Sequence, residues 1–175
     1  MKNREPLTIA IKSLSADGCS FQHLVQSSQQ ELKSSYLKEQ LAPLEPDEWL
    51  SPLFGSEFGY RTKARLGVKF VEKKGRLLVG FREKQKPFIA DTDQCPIIIE
   101  RCKRLIPDLE ILIEQLSIKR SIPQVELAAG DTDVALVFRH LELLEECDLE
   151  LLREFSEATG FRIYLQSSGP DSVRK

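Results

Sequence analysis

The chain has few of the residues on which many catalytic sites depend. Its 175 residues include two histidines, one methionine and one tryptophan. Because His23 and His140 are the only imidazoles, a hydrolase driven by a histidine base is not expected. The Gly-rich turn of dinucleotide-binding folds, the Walker lysine, the Gly-x-Ser-x-Gly elbow and the His-Glu-x-x-His zinc motif are also absent. The sequence therefore points to no catalytic residue.

Long apolar runs and clustered cysteines are lacking too. No stretch approaches the roughly 20 apolar residues that span a bilayer, and no apolar core of a signal peptide follows the first residues. We therefore expect a cytoplasmic protein without a membrane partner. Cys19, Cys95, Cys102 and Cys147 are widely spaced. In a reducing compartment this spacing predicts thiols or metal ligands and not a disulfide framework.

What the chain does have is a strongly basic segment inside a near-neutral sequence. Residues 60–86 carry ten basic and two acidic side chains, a net charge of +8 in a chain of net charge −2. Alternating polarity predicts two strands, about 60–71 and 76–83, joined by a turn at Gly75.

A strand has a period of two, so the cations of the first strand project from one face at intervals of about 7 Å. They are Arg61, Lys63, Arg65 and Lys69. Such a face suits the phosphate backbone of a nucleic acid, although a solvated lysine-rich hairpin is the alternative. The candidate RNA-binding residues are Arg61, Lys63, Arg65, Lys69, Arg76 and Arg82.

The remaining pattern predicts an α+β fold in which antiparallel β-hairpins pack with helices. The predicted elements are a helix at 27–41, a helix at 97–117 that Pro107 should kink or divide, a hairpin joining 125–127 to 134–138, a helix at 145–159 and a strand at 161–165. We divide the chain into an N-terminal arm (1–24), a helix with a connecting loop (25–58) and an α+β domain (59–175).

Two cysteines are candidate metal ligands. Cys19 lies close in sequence to His23, and Cys95 lies between Gln94 and Pro96 at a predicted strand-to-helix junction. A helix N-terminus there would stabilise a thiolate. For both cysteines a small buried residue is the commoner outcome. With His23 and a fourth ligand they are also compatible with a zinc site.

Several segments, taken in order, resemble the bacterial 23S rRNA uracil-C5 methyltransferases of the RlmD/RumA type. The resemblance covers about residues 17–173. The matching segments are Gly-Cys-Ser-Phe-Gln-His-Leu (18–24), Gly-Tyr-Arg-Thr-Lys-Ala-Arg-Leu (59–66), Val-Gly-Phe-Arg-Glu-Lys (79–84), Phe-Ile-Ala-Asp (88–91), Gln-Cys-Pro (94–96), Pro-Gln-Val-Glu-Leu (123–127), Tyr-Leu-Gln (164–166) and Gly-Pro-Asp (169–171).

The resemblance implies an architecture and two cofactors. Members of this family combine an oligonucleotide-binding β-barrel, a central α+β domain and a Rossmann-like domain for S-adenosylmethionine, and they hold a 4Fe–4S cluster on four cysteines. This chain resembles the central domain, and from the resemblance we expect it to be without the other two. Cys19 and Cys95 match the third and fourth cluster ligands, whereas Ala10 and Ala16 stand at the first and second.

The resemblance also shapes the functional expectation. The cofactor turn and the catalytic groups of the family have no match here, so we expect a truncated fragment that positions rRNA, needs no cofactor of its own and is inactive alone. The alternatives are a stand-alone RNA-binding module and a cysteine-based metal-binding interaction protein. Surfaces that the other domains would cover are expected to favour self-association.

Overall fold

The computed structural model describes residue 21, residues 23–83 and residues 88–175. The chain divides into two compact units, Met1–Leu53 and Phe54–Lys175. The described part of the first unit contains helix α1 (Gln26–Leu41), as the sequence predicts, followed by a short helical turn (Ala42–Leu44). No helix in the described ranges is long and apolar enough to cross a membrane.

The second unit is built on a six-stranded sheet with the order β2-β1-β3-β4-β5-β6. All neighbouring strands are antiparallel except β4 and β5, which run parallel. Helices α2 (Leu105–Gln115) and α3 (Glu146–Thr159) pack against this sheet, so the predicted α+β class is confirmed. The strands are β1 (Lys63–Val71), β2 (Arg76–Gly80), β3 (Gln124–Ala129), β4 (Val134–Arg139), β5 (Arg162–Gln166) and β6 (Val173–Arg174).

Both predicted hairpins form. In the first, a helical turn (Glu72–Lys74) leads into Gly75, whose φ of 62° lies in the left-handed region that glycine adopts without strain. This turn sets the register in which Val71 pairs with Arg76. In the second, Ala129 pairs with Val134 across a four-residue turn, and Gly130 donates its amide to the carbonyl of Asp133 at 2.9 Å.

The predicted helix at 97–117 is shorter and divided. A separate helical turn (Glu100–Cys102) comes first, and α2 begins only at Leu105. Pro107 therefore lies in the first turn of α2, where a backbone N–H has no partner within the helix and its loss is not costly. At the other helix, α3 ends at Gly160, whose φ is 71°.

The core lies between the two helices and one face of the sheet. Leu66, Leu127, Leu136 and Phe138 supply buried sheet residues, and Leu109 is a buried contact from α2. We call this covered side the inner face and the opposite side the outer face. Because α2 and α3 both lie on the inner face, side chains that alternate away from the core emerge on the outer face.

One buried carboxylate fastens the two helices together. Asp148, in the first turn of α3, is 0% exposed. It accepts hydrogen bonds from the amide and the hydroxyl of Ser117, both at 2.7 Å, and from the amide of Glu145 at 3.0 Å. The side chain of Asp148 therefore connects the loop after α2 to the start of α3.

Candidate nucleic-acid interface

The outer face of β1 carries the predicted row of cations. Lys63, Arg65 and Lys69 are exposed, whereas Ala64 and Leu66, which alternate with them, are buried. These two apolar residues are buried because they belong to the core that α2 covers. The prediction of one cationic and one apolar face for this strand is confirmed.

Strand register extends this face across the sheet, because directly paired residues lie on the same side. Arg65 pairs with Glu126, Glu126 with Val137, and Val137 with Tyr164. These four residues form one row across the sheet, and the neighbouring rows of paired residues add further cations. On the outer face the strands therefore carry one acidic residue, Glu126, and several basic ones. The basic residues are Lys63, Arg65, Lys69, Arg76, Arg139 and Arg162.

The cations of this face differ in how far other charges neutralise them. Lys63 and Lys69 make no ion pair within the described ranges. Arg65 lies 3.0 Å from Glu126, yet its side chain is 70% exposed. Such an exposed pair contributes little energy and exchanges readily for another anion. The two lysines and Arg65 are therefore the most available positive charges on β1.

Arg76 lies in a different environment from the other predicted contacts. Its guanidinium pairs with Asp91, which also binds Lys74, and lies 3.4 Å from Glu110. The hydrogen bond from Lys74, followed by that from Arg76, holds the pKa of Asp91 below its usual range. Glu110 in turn accepts a hydrogen bond from the amide of Val79 at 3.0 Å. Arg76 thus serves an ion-pair network at the β2 edge of the sheet.

Arg61 and Arg82 lie beside the strands and not within them. The guanidinium of Arg61 is 5.5 Å from the ring centroid of Phe81, a cation–π distance. Arg82 passes over Gly67 and reaches the carbonyl of Pro123 at 3.4 Å. The predicted cations therefore lie in or next to β1 and β2, but they do not form one uniform row.

A pair of glycines on the outer face was not anticipated from the sequence. Gly67 and Gly80 pair directly across β1 and β2, and the segment containing Ile89 and Ala90 lies against them. A Cβ atom on Gly80 would come within 2.7 Å of the carbonyl oxygen of Ala90. Glycine inside a strand often marks such a close backbone approach, and that was the available signal.

The candidate metal ligands are not brought together by the described residues. Cys19 lies outside these residues, and Cys95 is half-buried in a loop, ahead of α2 and not at its N-terminus as expected. Within the described ranges no group of three or more His, Cys, Asp or Glu side chains is arranged to hold a metal ion. A metal site that combines Cys19 with Cys95 therefore stays a prediction from the sequence.

The other two cysteines have contrasting surroundings. Cys102 is 2% exposed in the core, and burial raises the pKa of its thiol. Cys147 is exposed at the start of α3. His140 is also buried, and its Nδ1 lies 2.8 Å from the carbonyl oxygen of Glu142. Cys102 is therefore a core residue, and His140 is a buried residue whose ring contacts the backbone.

Comparisons with known proteins agree with the resemblance seen in the sequence. The chain is 47% identical over 161 residues to the 23S rRNA (uracil(1939)-C(5))-methyltransferase RlmD of Alcanivorax borkumensis, covering 90% of this chain and 36% of that protein. It is 48% identical, with the same coverage, to RlmD of Hahella chejuensis. No family model matches the chain.

A solved structure shows the same fold. The chain superposes with a TM-score of 0.60 and 25% identity on the Pyrococcus abyssi tRNA (uracil-54, C5)-methyltransferase, solved in complex with S-adenosyl-L-homocysteine. That alignment covers 93% of this chain and 41% of the solved one. With nearly half of its residues identical over nine tenths of its length, the chain is homologous to a segment of the 23S rRNA uracil-C5 methyltransferases named RlmD, and it spans about a third of the length of these curated relatives.

Proposed function

We propose that these residues form an RNA-positioning part of a 23S rRNA uracil-C5 methyltransferase and do not themselves transfer a methyl group. The observation that supports this proposal is the outer face of the sheet, whose strands carry six basic side chains and one acidic one. Arg76 and Arg162 are paired with Asp91 and Asp133, whereas Lys63, Lys69 and Arg139 make no ion pair within the described ranges. The relatives are named for their action on 23S rRNA, and a cationic surface is what the backbone of such a substrate requires.

The spacing of the outer face suits a polyanion that runs across it. Same-face residues lie about 7 Å apart along a strand and about 4.8 Å apart between strands. Lys63 and Lys69 can meet phosphates without giving up an internal ion pair, and Arg65 can exchange Glu126 for a phosphate. Each phosphate that is neutralised releases counterions, so binding should weaken steeply as salt is added.

The test is the salt dependence of binding to a fluorescently labelled single-stranded 23S rRNA segment, followed by anisotropy. A Lys63→Ala/Lys69→Ala variant should weaken binding to every RNA sequence similarly. It should also reduce the slope of log affinity against log salt by about 1.4, because each lost single-strand contact removes about 0.7.

The matched control removes two lysines from the helical layer, by which we mean α2, α3 and the turns next to them. Lys103 precedes α2 and is paired with Glu100 at 3.1 Å, and Lys119 follows α2 and is paired with Glu114 at 2.8 Å. Lys103→Ala/Lys119→Ala should leave the slope unchanged. If both double variants lower the slope equally, net charge and not the outer face controls binding, and the proposal fails.

Methyl transfer is tested separately. The purified chain is incubated with S-adenosylmethionine labelled on its methyl group and with a 23S rRNA fragment, beside a full-length RlmD relative as the positive control. We expect label in the RNA only with the full-length relative. Incorporation by this chain alone would show that it carries a catalytic centre, in contradiction to the proposal.

A further inference from the structure

We propose that Tyr164 is a stacking platform for an unpaired base, so that the outer face binds single-stranded RNA in preference to a duplex. This inference rests on the proposed function and names the form of RNA that the outer face recognises. It adds a residue of β5, far along the chain from the basic hairpin, to the binding surface.

The sheet register places Tyr164 on the outer face. Tyr164 pairs with Val137 of β4, and Val137 pairs with Glu126, the partner of Arg65. The neighbours of Tyr164 in β5, Ile163 and Leu165, pack against the core instead. Because side chains alternate along a strand, the tyrosine ring must lie on the side away from α2 and α3.

The surroundings of Tyr164 combine apolar support with polar edges. Val137 lies beside it on the same face, while Arg162 and Gln166 flank it two residues away along β5. Arg139 pairs with Gln166 in the adjacent row. The tyrosine is half-buried, and no hydrogen bond to its hydroxyl occurs within the described ranges. A base placed on this ring would have hydrogen-bonding side chains at its edges.

Charge complementarity selects RNA as the occupant. A half-buried aromatic ring beside an apolar residue would also suit a protein partner, but Tyr164 lies near two arginines. Arg139 makes no ion pair within the described ranges, and Arg162 is paired with Asp133 at 2.9 Å, with Lys63 in the same row of the sheet. A positively charged surface with aromatic residues is the general design of sites for single strands, where phosphates meet cations and bases stack on rings. A duplex hides the faces of its bases and offers nothing to stack on Tyr164.

The experiment compares two probes and two variants. The probes are an unstructured oligouridine of twelve nucleotides and an RNA duplex of twelve base pairs. Base stacking on one aromatic side chain corresponds to about 5- to 160-fold in affinity, so Tyr164→Ala should weaken oligouridine binding by that factor and leave duplex binding and the salt slope unchanged. Tyr164→Phe keeps the ring and should bind the oligouridine as the wild type does.

A photocrosslink provides the second readout. A 5-iodouridine-substituted oligouridine should crosslink to the β5 peptide that contains Tyr164, and thermal melting should show that both variants are folded. If wild-type chain binds with a steep salt dependence but Tyr164→Ala binds both probes as the wild type does, stacking is refuted while RNA binding stands. If the wild type binds neither probe, the proposed function itself is wrong, and a protein partner becomes the occupant of this face.

Discussion

Replacing Asp148 with alanine should destabilise the second unit more than any exposed substitution. The Asp148 carboxylate is completely buried and accepts bonds from the Ser117 amide, the Ser117 hydroxyl and the Glu145 amide. The side chain therefore closes the first turn of α3 and fixes the segment after α2 in one step. The variant loses these bonds and leaves the three donors facing an apolar side chain.

The magnitude follows from the kind of bond lost. A hydrogen bond to a charged group contributes about 1.5–3 kcal/mol net, but Ser117 and Glu145 are at exposed positions where water can replace part of the loss. We therefore expect Asp148→Ala to lower the free energy of unfolding by about 2–4 kcal/mol. Ser117→Ala, which removes only the hydroxyl bond, should cost about 1 kcal/mol.

The pH dependence has a definite sign. Burial raises the pKa of Asp148, but the hydrogen bonds from Ser117 and Glu145 outweigh it and hold the pKa below the usual value. A carboxyl group whose pKa is lower in the folded chain binds fewer protons there than in the unfolded chain. The contribution of Asp148 to the free energy of unfolding is therefore present above about pH 4 and is lost as the pH falls further.

The assay is urea unfolding followed by circular dichroism between pH 3 and pH 7. The difference between wild type and Asp148→Ala should be full at pH 7 and should shrink below about pH 4. A loss below about 0.5 kcal/mol at pH 7, within the range of ordinary surface substitutions, would refute the assigned role of Asp148.

Further predictions concern the outer-face glycines and the cysteines. Gly80→Ala should lower stability by about 1–3 kcal/mol because its Cβ would meet a backbone carbonyl, whereas Gly67→Ala, which meets side-chain atoms that can shift, should cost less in the same unfolding assay. Equal losses would contradict the close approach at Gly80. In native protein at pH 8, Cys147 should be alkylated rapidly and Cys102 only after unfolding, as mass spectrometry of the labelled peptides would show; early labelling of Cys102 would contradict its burial.

Much of the fold follows from local patterns in the sequence. Alternation of charged and apolar residues defines β1 and its inner face, Gly75 defines the first turn, and Gly160 ends α3. These signals are readable because each depends on neighbours within a few residues. The same reasoning places the start of the second helix at residue 97, whereas α2 begins at Leu105. A periodic pattern of apolar residues does not distinguish one long helix from a short helical turn followed by a helix.

The features that the sequence does not reveal all depend on distant contacts. Arg76 looks equivalent to Lys69 in the pattern, yet the chain brings Asp91 and Glu110 to its guanidinium. Tyr164 lies in a short strand whose alternation alone does not tell which side faces the core. Its place beside Val137 is fixed by the parallel pairing of β4 and β5, which sequence periodicity cannot specify.

The most direct test of the central claim is lysine footprinting by acetylation, with and without single-stranded 23S rRNA segments. The outer-face lysines Lys63 and Lys69 should be protected when RNA is bound, and Lys103 and Lys119 in the helical layer should react at unchanged rates. The four lysines are read as peptides from one sample, so they share the same reagent and the same bound fraction. Equal protection of both pairs, or protection of the helical pair alone, would contradict the assignment of RNA binding to the outer face of the sheet.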